Sequence, residues 1–414
     1  MSFCAERVAL DLSMKRELQK LRKALKQPME LVATEIAEGF SHFRAKNKVY
    51  SLLDNPSKGS KKVYHIAHYT LSNAGDIILP VVIRDFLSLQ DSSLRWKKQH
   101  VHTVVDDAST KKLNSAKGFL IGGGGLFISD TNKNKLSGWQ WSCSYEQLEQ
   151  LDSPFVLFAV GYNQFRNQAG FQDIFGKHIH KLTEKALYIG LRNEGSIASF
   201  RQHLPTDLHA KVRFQPCLTT IIKKIYPALS EATKKEDFIA VNCAFDRSKN
   251  RFGKEMGAKL SRIAKALAVL SKDRPIKYYA HTKEDQYFLP YLDVHEVPYE
   301  LVKLYNVTSK TIVEAYTKPA LVMGMRGHAQ LIAFGCGTPT ISLISHNKLK
   351  FFLEDIGKPE WGLEVDDPAL DEKITALSQE MLTQPDSIVA HIDSWQQKFY
   401  DVSLTNAKEF LEYI

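Results

Sequence analysis

No pair of cysteines in this chain is spaced as C-x-x-C. The five cysteines, at positions 4, 143, 217, 243 and 336, are odd in number and widely scattered. That pattern suits neither a disulfide framework nor a zinc site, so the thiols are expected to be reduced and the chain cytoplasmic. The first thirty residues lack the apolar run of a signal peptide, because Glu6, Asp11, Lys15, Arg16 and Glu17 interrupt every candidate stretch. No later segment reaches the roughly 18 uninterrupted apolar residues of a membrane-spanning helix. H-E-x-x-H, G-x-S-x-G and a metal-holding D-x-D are also missing, and the 14 histidines show no ligand spacing. No metal and no cofactor are expected. Basic residues are not interleaved with aromatics in a stripe, which argues against nucleic acid as a partner.

What is present is ordinary globular composition, 44% hydrophobic and 24% charged, over 414 residues. That length calls for two domains, or three. Fifty-five Lys and Arg against 46 Asp and Glu leave a net charge of +9, which favours anionic partners without choosing among them. Residues 1–60 stand apart as a basic helical extension. Met14, Leu18, Leu21 and Leu25 form a helical stripe with Lys15, Arg16, Lys20, Arg22, Lys23 and Lys26 between them. Such a helix packs on the body or a sister subunit, or lies on an anionic membrane face, which would make residues 1–55 a peripheral membrane contact.

From residue 61 onward short β-branched or aromatic runs alternate with helical ones. Strands are expected over 63–68, 101–105, 118–121, 155–160 and 186–191, and a helix over 77–88. A second series follows, with strands over 238–241, 276–280, 294–296, 321–323 and 340–343 and helices over 254–270 and 284–289. The pattern is that of parallel α/β sheets. The expected plan is a first unit over 61–226, a linker over 227–237, a second unit over 238–375 and C-terminal helices over 376–414. Ligands of such sheets collect at the carboxyl ends of strands, and two facing units make a cleft there.

Four blocks fall at expected strand ends. Asn73-Ala74-Gly75-Asp76 offers an amide and a carboxylate, with Asp76 also a candidate helix cap. The run Gly122 to Gly125, including Gly123 and Gly124, reads as a loop whose backbone approaches a phosphate or sugar, or as a tight packing turn. Arg192-Asn193-Glu194-Gly195-Ser196 offers a bidentate clamp for an anion, or a surface arginine opening a helix. Arg326-Gly327-His328 combines a fixed charge, helix N-terminal donors and a group titrating near neutrality.

In this order the blocks, with the strand and glycine of 155–161 and with Gly337-Thr338-Pro339 before Lys348, resemble the polysaccharide pyruvyl transferase family over roughly residues 61–365. Asn193 stands where the family usually has Asp, Gly195 is an extra residue, and Ile77 replaces an acidic one. Asn347 precedes Lys348 where Asp is common. The resemblance implies two Rossmann-like domains facing across a cleft, as in GT-B glycosyltransferases. It further implies phosphoenolpyruvate as donor and co-substrate, and a pyruvate ketal formed on a surface glycan or its lipid-linked precursor. Arg192, Arg326 and Gly327 would then hold the donor and His328 would move the proton. Asn73, Gly75, Asp76, Gly123, Gly124 and Lys348 would lie on the acceptor side or in its loops. A nucleotide-sugar glycosyltransferase of the same architecture and a non-catalytic envelope-assembly protein remain the alternatives.

Overall fold

The computed structural model describes residues 51–53, 59–129, 135–163, 165, 168–231 and 234–414. The basic helix expected at 14–25, and any membrane contact it makes, lies outside them. Two six-stranded sheets, parallel throughout, carry the fold. The first holds β1 (Lys61–Ala67), β2 (Leu94–His100), β3 (Gly118–Phe127), β4 (Phe155–Tyr162), β5 (Ile189–Leu191) and β6 (Val212–Phe214), in the order β2-β1-β3-β4-β5-β6. The second holds β7 (Glu236–Asn242), β8 (Ile276–Ala280), β9 (Tyr299–Lys303), β10 (Pro319–Gly324), β11 (Thr340–Ile344) and β12 (Gly362–Glu364), in the order β12-β11-β10-β7-β8-β9. Strand order reverses beside β1 and β3 in one sheet and beside β7 and β10 in the other. Crevices open at such switch points.

Helices α1 (Ala74–Gln90), α2 (Glu194–Arg201), α3 (Ser248–Phe252), α4 (Met256–Leu270), α5 (Ser309–Thr317), α6 (Gly327–Gly335), α7 (Asn347–Asp355), α8 (Leu370–Thr383) and α9 (Pro385–Glu412) bear on the argument. Central strands are buried along most of their length, β4 at every residue, which suits sheets covered on both faces. The units touch through α1, since Ala74 N–H donates to the His281 carbonyl at 3.1 Å and Ser309 Oγ to the Ile77 carbonyl at 3.4 Å. Helix α9 ties them again. Gln396 Nε2 donates to the carbonyls of Phe334 and Gly335 in the second unit, while Arg213 of the first pairs bidentately with Glu409 at 2.6 Å. Among the described residues no helix is long and apolar enough to cross a membrane.

Several sequence expectations shift. Residues 101–105 are not a strand; the strand is β2, with exposed Arg95, Lys97 and Lys98. Nor do residues 294–296 form one, since β9 begins at Tyr299. Pro227–Glu231 is helical and β7 starts at Glu236, so the expected linker is largely structured. The C-terminal helices begin at Leu370 rather than 376. The glycine run is not a loop but the second half of β3. Gly123 and Gly124 have φ of 85° and 92°, the register with β4 shifts after Gly124, and Ala159 in β4 has φ of 57°. A side chain at Gly123 would strike Leu79 and Ile83 of α1, so this irregular glycine stretch lets α1 press onto the sheet.

Candidate functional site

The carboxyl ends of the two switch-point regions face one another across a cavity of about 190 Å³. Asn73, Asp76, Gly125, Asn163 and Arg192 line it from the first unit, and Asp246, Arg247, Arg326, His328 and Lys348 from the second. Asn73, not Asp76, caps α1, its side chain accepting from Gly75 N–H at 2.9 Å. Asp76 is left in the first turn with its carboxylate available. Gly75 has no room for a side chain, because a Cβ there would lie 2.1 Å from His328 Nδ1. The imidazole of the second unit therefore rests on the backbone that presents Asp76. Gly123 lies against α1, a Cβ at Gly124 would meet nothing within 4 Å, and of the run only Gly125 lines the cavity.

Arg192 lies in the cleft floor, 8% exposed, with its guanidinium laid across Gly161, where a Cβ would come within 2.4 Å of it. A single hydrogen bond holds it, from Nη2 to Asn163 Oδ1 at 3.0 Å. It has no carboxylate partner among the described residues. Lys348, in the first turn of α7, has neither hydrogen bond nor ion pair among them. Burial lowers its pKa well below the usual lysine value, with Arg192 and Arg251 adding repulsion. Lys348 thus sits within electrostatic reach of Arg192. A small enclosed cavity runs behind the pair, bounded by Cys217, Leu331 and Phe352.

Arg326 differs from Arg192 in having carboxylate partners of its own. Its Nε–H goes to Asp285, one Nη1–H to Asp246 at 3.0 Å, and its Nη2 hydrogens to Thr282 Oγ1 and Asp285 Oδ1. Four of its five N–H donors are spent on protein acceptors. Asp285 is fully buried and also receives the N–H groups of His281 and Thr282. Asp246 accepts two further bonds from Arg251, whose Nη1 reaches Ser345 and His346. Burial alone would raise the pKa of Asp246, but Arg251 and Arg326 outweigh it and hold the carboxyl far below its ordinary range. Arg326 is a strut joining the ends of β7, β8 and β10, not an open clamp. Gly327 lines the cavity beside Lys348, to whose Cε a Cβ would come within 3.3 Å.

His328 Nε2 is buried without a partner. Burial pushes the imidazole pKa well below its usual value, and Arg192, Lys348, His281 and Arg326 add to the effect. Burial therefore favours the neutral imidazole and disfavours the ammonium form of the neighbouring lysine. An arriving multivalent anion would reverse both shifts. Asp76 moves the other way, burial raising its pKa to about 6 against the pull of Arg326 and Lys348. Farther along the first unit, His68 and Gln140 line the cavity, and the rings of His68, His100 and His102 meet edge to face at 4.9–5.5 Å. Burial and the two neighbouring histidines lower His68 to about 4, so this end is neutral and polar. Among the described residues no group of side chains is arranged to hold a metal ion.

Two departures from the family pattern acquire a physical role. Asn193 caps α2 by accepting from Ser196 N–H at 2.7 Å, which an Asp would also do. Gly195 admits Phe351 of α7, whose ring a Cβ would meet at 2.4 Å, so the extra glycine is a point of close approach between the units. Sequence reasoning missed Asp246, Arg251, Asp285 and Asn163. For Asp246 a signal existed, since Asp246-Arg247 follows the apolar strand β7 as Arg326 follows β10.

A family model for polysaccharide pyruvyl transferases matches residues 42–347. The chain belongs to that family. It is thus a transferase of polysaccharide biosynthesis. No curated protein matches its sequence. Among solved structures it is similar to the MnaA protein of S. aureus, solved with UDP, at 11% identity and a TM-score of 0.51 over 86% of this chain and 98% of that one. The UDP-GlcNAc 2-epimerase of Neisseria meningitidis bound to UDP-GlcNAc matches at 11% identity and a TM-score of 0.50, over 85% and 99%. A putative UDP-N-acetylglucosamine 2-epimerase of Listeria monocytogenes gives 11% and 0.50, over 81% and 91%. Such distant likeness speaks for the fold, two Rossmann-like domains in the GT-B arrangement.

Proposed function

We propose that the pyruvyl transferase takes phosphoenolpyruvate as donor and forms a pyruvate ketal on two hydroxyls of one sugar in a surface glycan or its lipid-linked precursor. The observation that carries this reading is the pair Arg192 and Lys348. Arg192 is a fixed cation, Lys348 a buried amine that an anion would favour in its ammonium form, neither has a carboxylate partner among the described residues, and an unpartnered imidazole stands beside them. Phosphoenolpyruvate brings a carboxylate and a phosphate on adjacent carbons, charge enough to engage both cations and to favour protonation of His328.

In the reaction the first sugar hydroxyl adds to C2 of the donor while C3 takes a proton from the His328 imidazolium. The C3 methylene becomes the methyl of the product. Phosphate then departs from C2, leaving an oxocarbenium-like carbon that the second hydroxyl captures. Of the two hydroxyl protons, one ends on the methyl group and the other on the released phosphate. Arg192 and Lys348 supply electrostatic stabilisation to the departing phosphate. The neutral end lined by His68 and Gln140 suits the hydroxyls of an acceptor glycan.

Thermal shift and phosphate release test this. Phosphoenolpyruvate should raise the melting temperature, and phosphate should appear only when a candidate glycan is added. Stabilisation by a nucleotide diphosphate and none by phosphoenolpyruvate would replace the reading with nucleotide-sugar transfer.

A further inference from the structure

Two proton movements accompany the first addition, and His328 accounts for only one. For the other the cavity offers two carboxylates and two further histidines: Asp76, Asp246, His68 and His281. Asp246 is held through both oxygens by Arg251 and again by Arg326. His281 has its Nε2 engaged by the Tyr316 hydroxyl at 2.5 Å. His68 belongs to the packed histidine triangle at the neutral end. Asp76 alone is a carboxylate of this cavity with no hydrogen bond or ion pair among the described residues. It projects from the first turn of α1, one residue beyond the backbone on which the His328 ring rests. An acid from one unit and a base from the other thus face the same space.

We infer that Asp76 is a further catalytic residue, the base that removes the proton from the attacking sugar hydroxyl. The inference rests on the ketal-forming reading above. The hydroxyl's O–H electron pair forms the bond to C2, its proton passes to the Asp76 carboxylate, and the π electrons of the donor take the proton of the His328 imidazolium at C3. In the second half the protonated Asp76 gives its proton to the bridging oxygen as the C2–O bond to phosphate breaks. The second hydroxyl, on attacking C2, gives its proton to neutral His328. Phosphate leaves as the monohydrogen dianion and both residues return to their starting states. The arrangement also accounts for Asn73 capping α1, which leaves the Asp76 carboxylate free of that task.

The test is Asp76→Asn, compared with the unaltered enzyme for donor affinity by calorimetry, turnover by phosphate release, and the pH profile of kcat/KM. Donor affinity should change by no more than about twofold, while turnover should fall ~10²- to 10⁴-fold. The unaltered enzyme should lose kcat/KM as pH falls below about 6, where Asp76 becomes protonated, and the residual activity of the variant should lack that limb. Near-normal turnover, or a lost affinity for donor, overturns the inference. A donor that fails to bind the unaltered enzyme overturns the ketal-forming reading instead. Should the Asn variant not fold, Asp76→Ala with added formate decides: turnover that rises with formate supports the base, and turnover that ignores it in a folded, donor-binding variant contradicts it.

Discussion

Two arginines at strand ends, 134 positions apart in sequence, look alike as residues and behave oppositely in the fold. Arg326 gives its hydrogens to Asp285, Asp246 and Thr282, and with Arg251 it knits the ends of β7, β8 and β10 into a closed network. Arg192 has one amide contact and no carboxylate partner among the described residues. The first region has satisfied its charges internally and so confers rigidity. The second, where Arg192, Lys348, His328 and Asp76 meet at the junction of the units, leaves them without charge-neutralising partners among the described residues. An arginine at a strand's carboxyl end is thus a binding candidate only when its surroundings hold no carboxylate to claim it.

The largest effect should come from breaking the closed network. Asp285→Ala leaves Arg326 buried without its main partner, which should cost about 3–5 kcal/mol of stability in ligand-free protein, read from denaturant unfolding. Arg326→Ala should do likewise by stranding Asp285. A variant at either position with unaltered stability and a pure loss of donor affinity would restore Arg326 as a clamp.

Next in size is Arg192→Gln, which should weaken phosphoenolpyruvate binding by roughly 1.5–3 kcal/mol while leaving the ligand-free protein at least as stable, because a buried charge without a counterion is removed. Calorimetry and thermal unfolding of the same sample check both halves. Donor binding should also take up protons. Burial holds His328 and Lys348 below their usual pKa values and a bound anion would raise them, so affinity should decline as pH rises. Titrations in buffers of different ionisation enthalpy measure that uptake directly, and none at neutral pH would contradict the coupling.

How much of this the sequence disclosed depended on which residues face inward. Central strands such as β4, β8 and β11 announce themselves as apolar runs. Strands β2 and β9 do not, since both are sheet edges whose Arg95, Lys97, Lys98, Glu300 and Lys303 point to solvent. The glycine run was legible as a special stretch but not as strand, because its reason is the pressure of Leu79 and Ile83 from a helix earlier in the chain. At the site, His328, Arg192 and Asp76 could be placed at strand ends from their blocks alone. The fate of Arg326 could not, because Asp246 and Asp285 arrive from two other strands and local sequence says nothing of that meeting.

The smallest effect expected is on stability. Because burial raises the Asp76 pKa to about 6, above its unfolded value, this group favours the folded state most below about pH 4, and that contribution is lost as pH rises through 6. Asp76→Asn should therefore raise the melting temperature by about 2–4 °C at pH 7 and leave it unchanged near pH 4. A variant that loses stability at pH 7 would show the carboxylate to be structurally engaged.

Calorimetric titration of phosphoenolpyruvate into the ligand-free enzyme, repeated with Arg192→Gln and Arg326→Gln, tests the central claim most directly. Saturable one-site binding to the unaltered enzyme is expected, with weakening of roughly ten- to a hundredfold in Arg192→Gln. In Arg326→Gln the loss should appear chiefly as lowered stability. No binding to the unaltered enzyme, or equal affinity in Arg192→Gln, would contradict it.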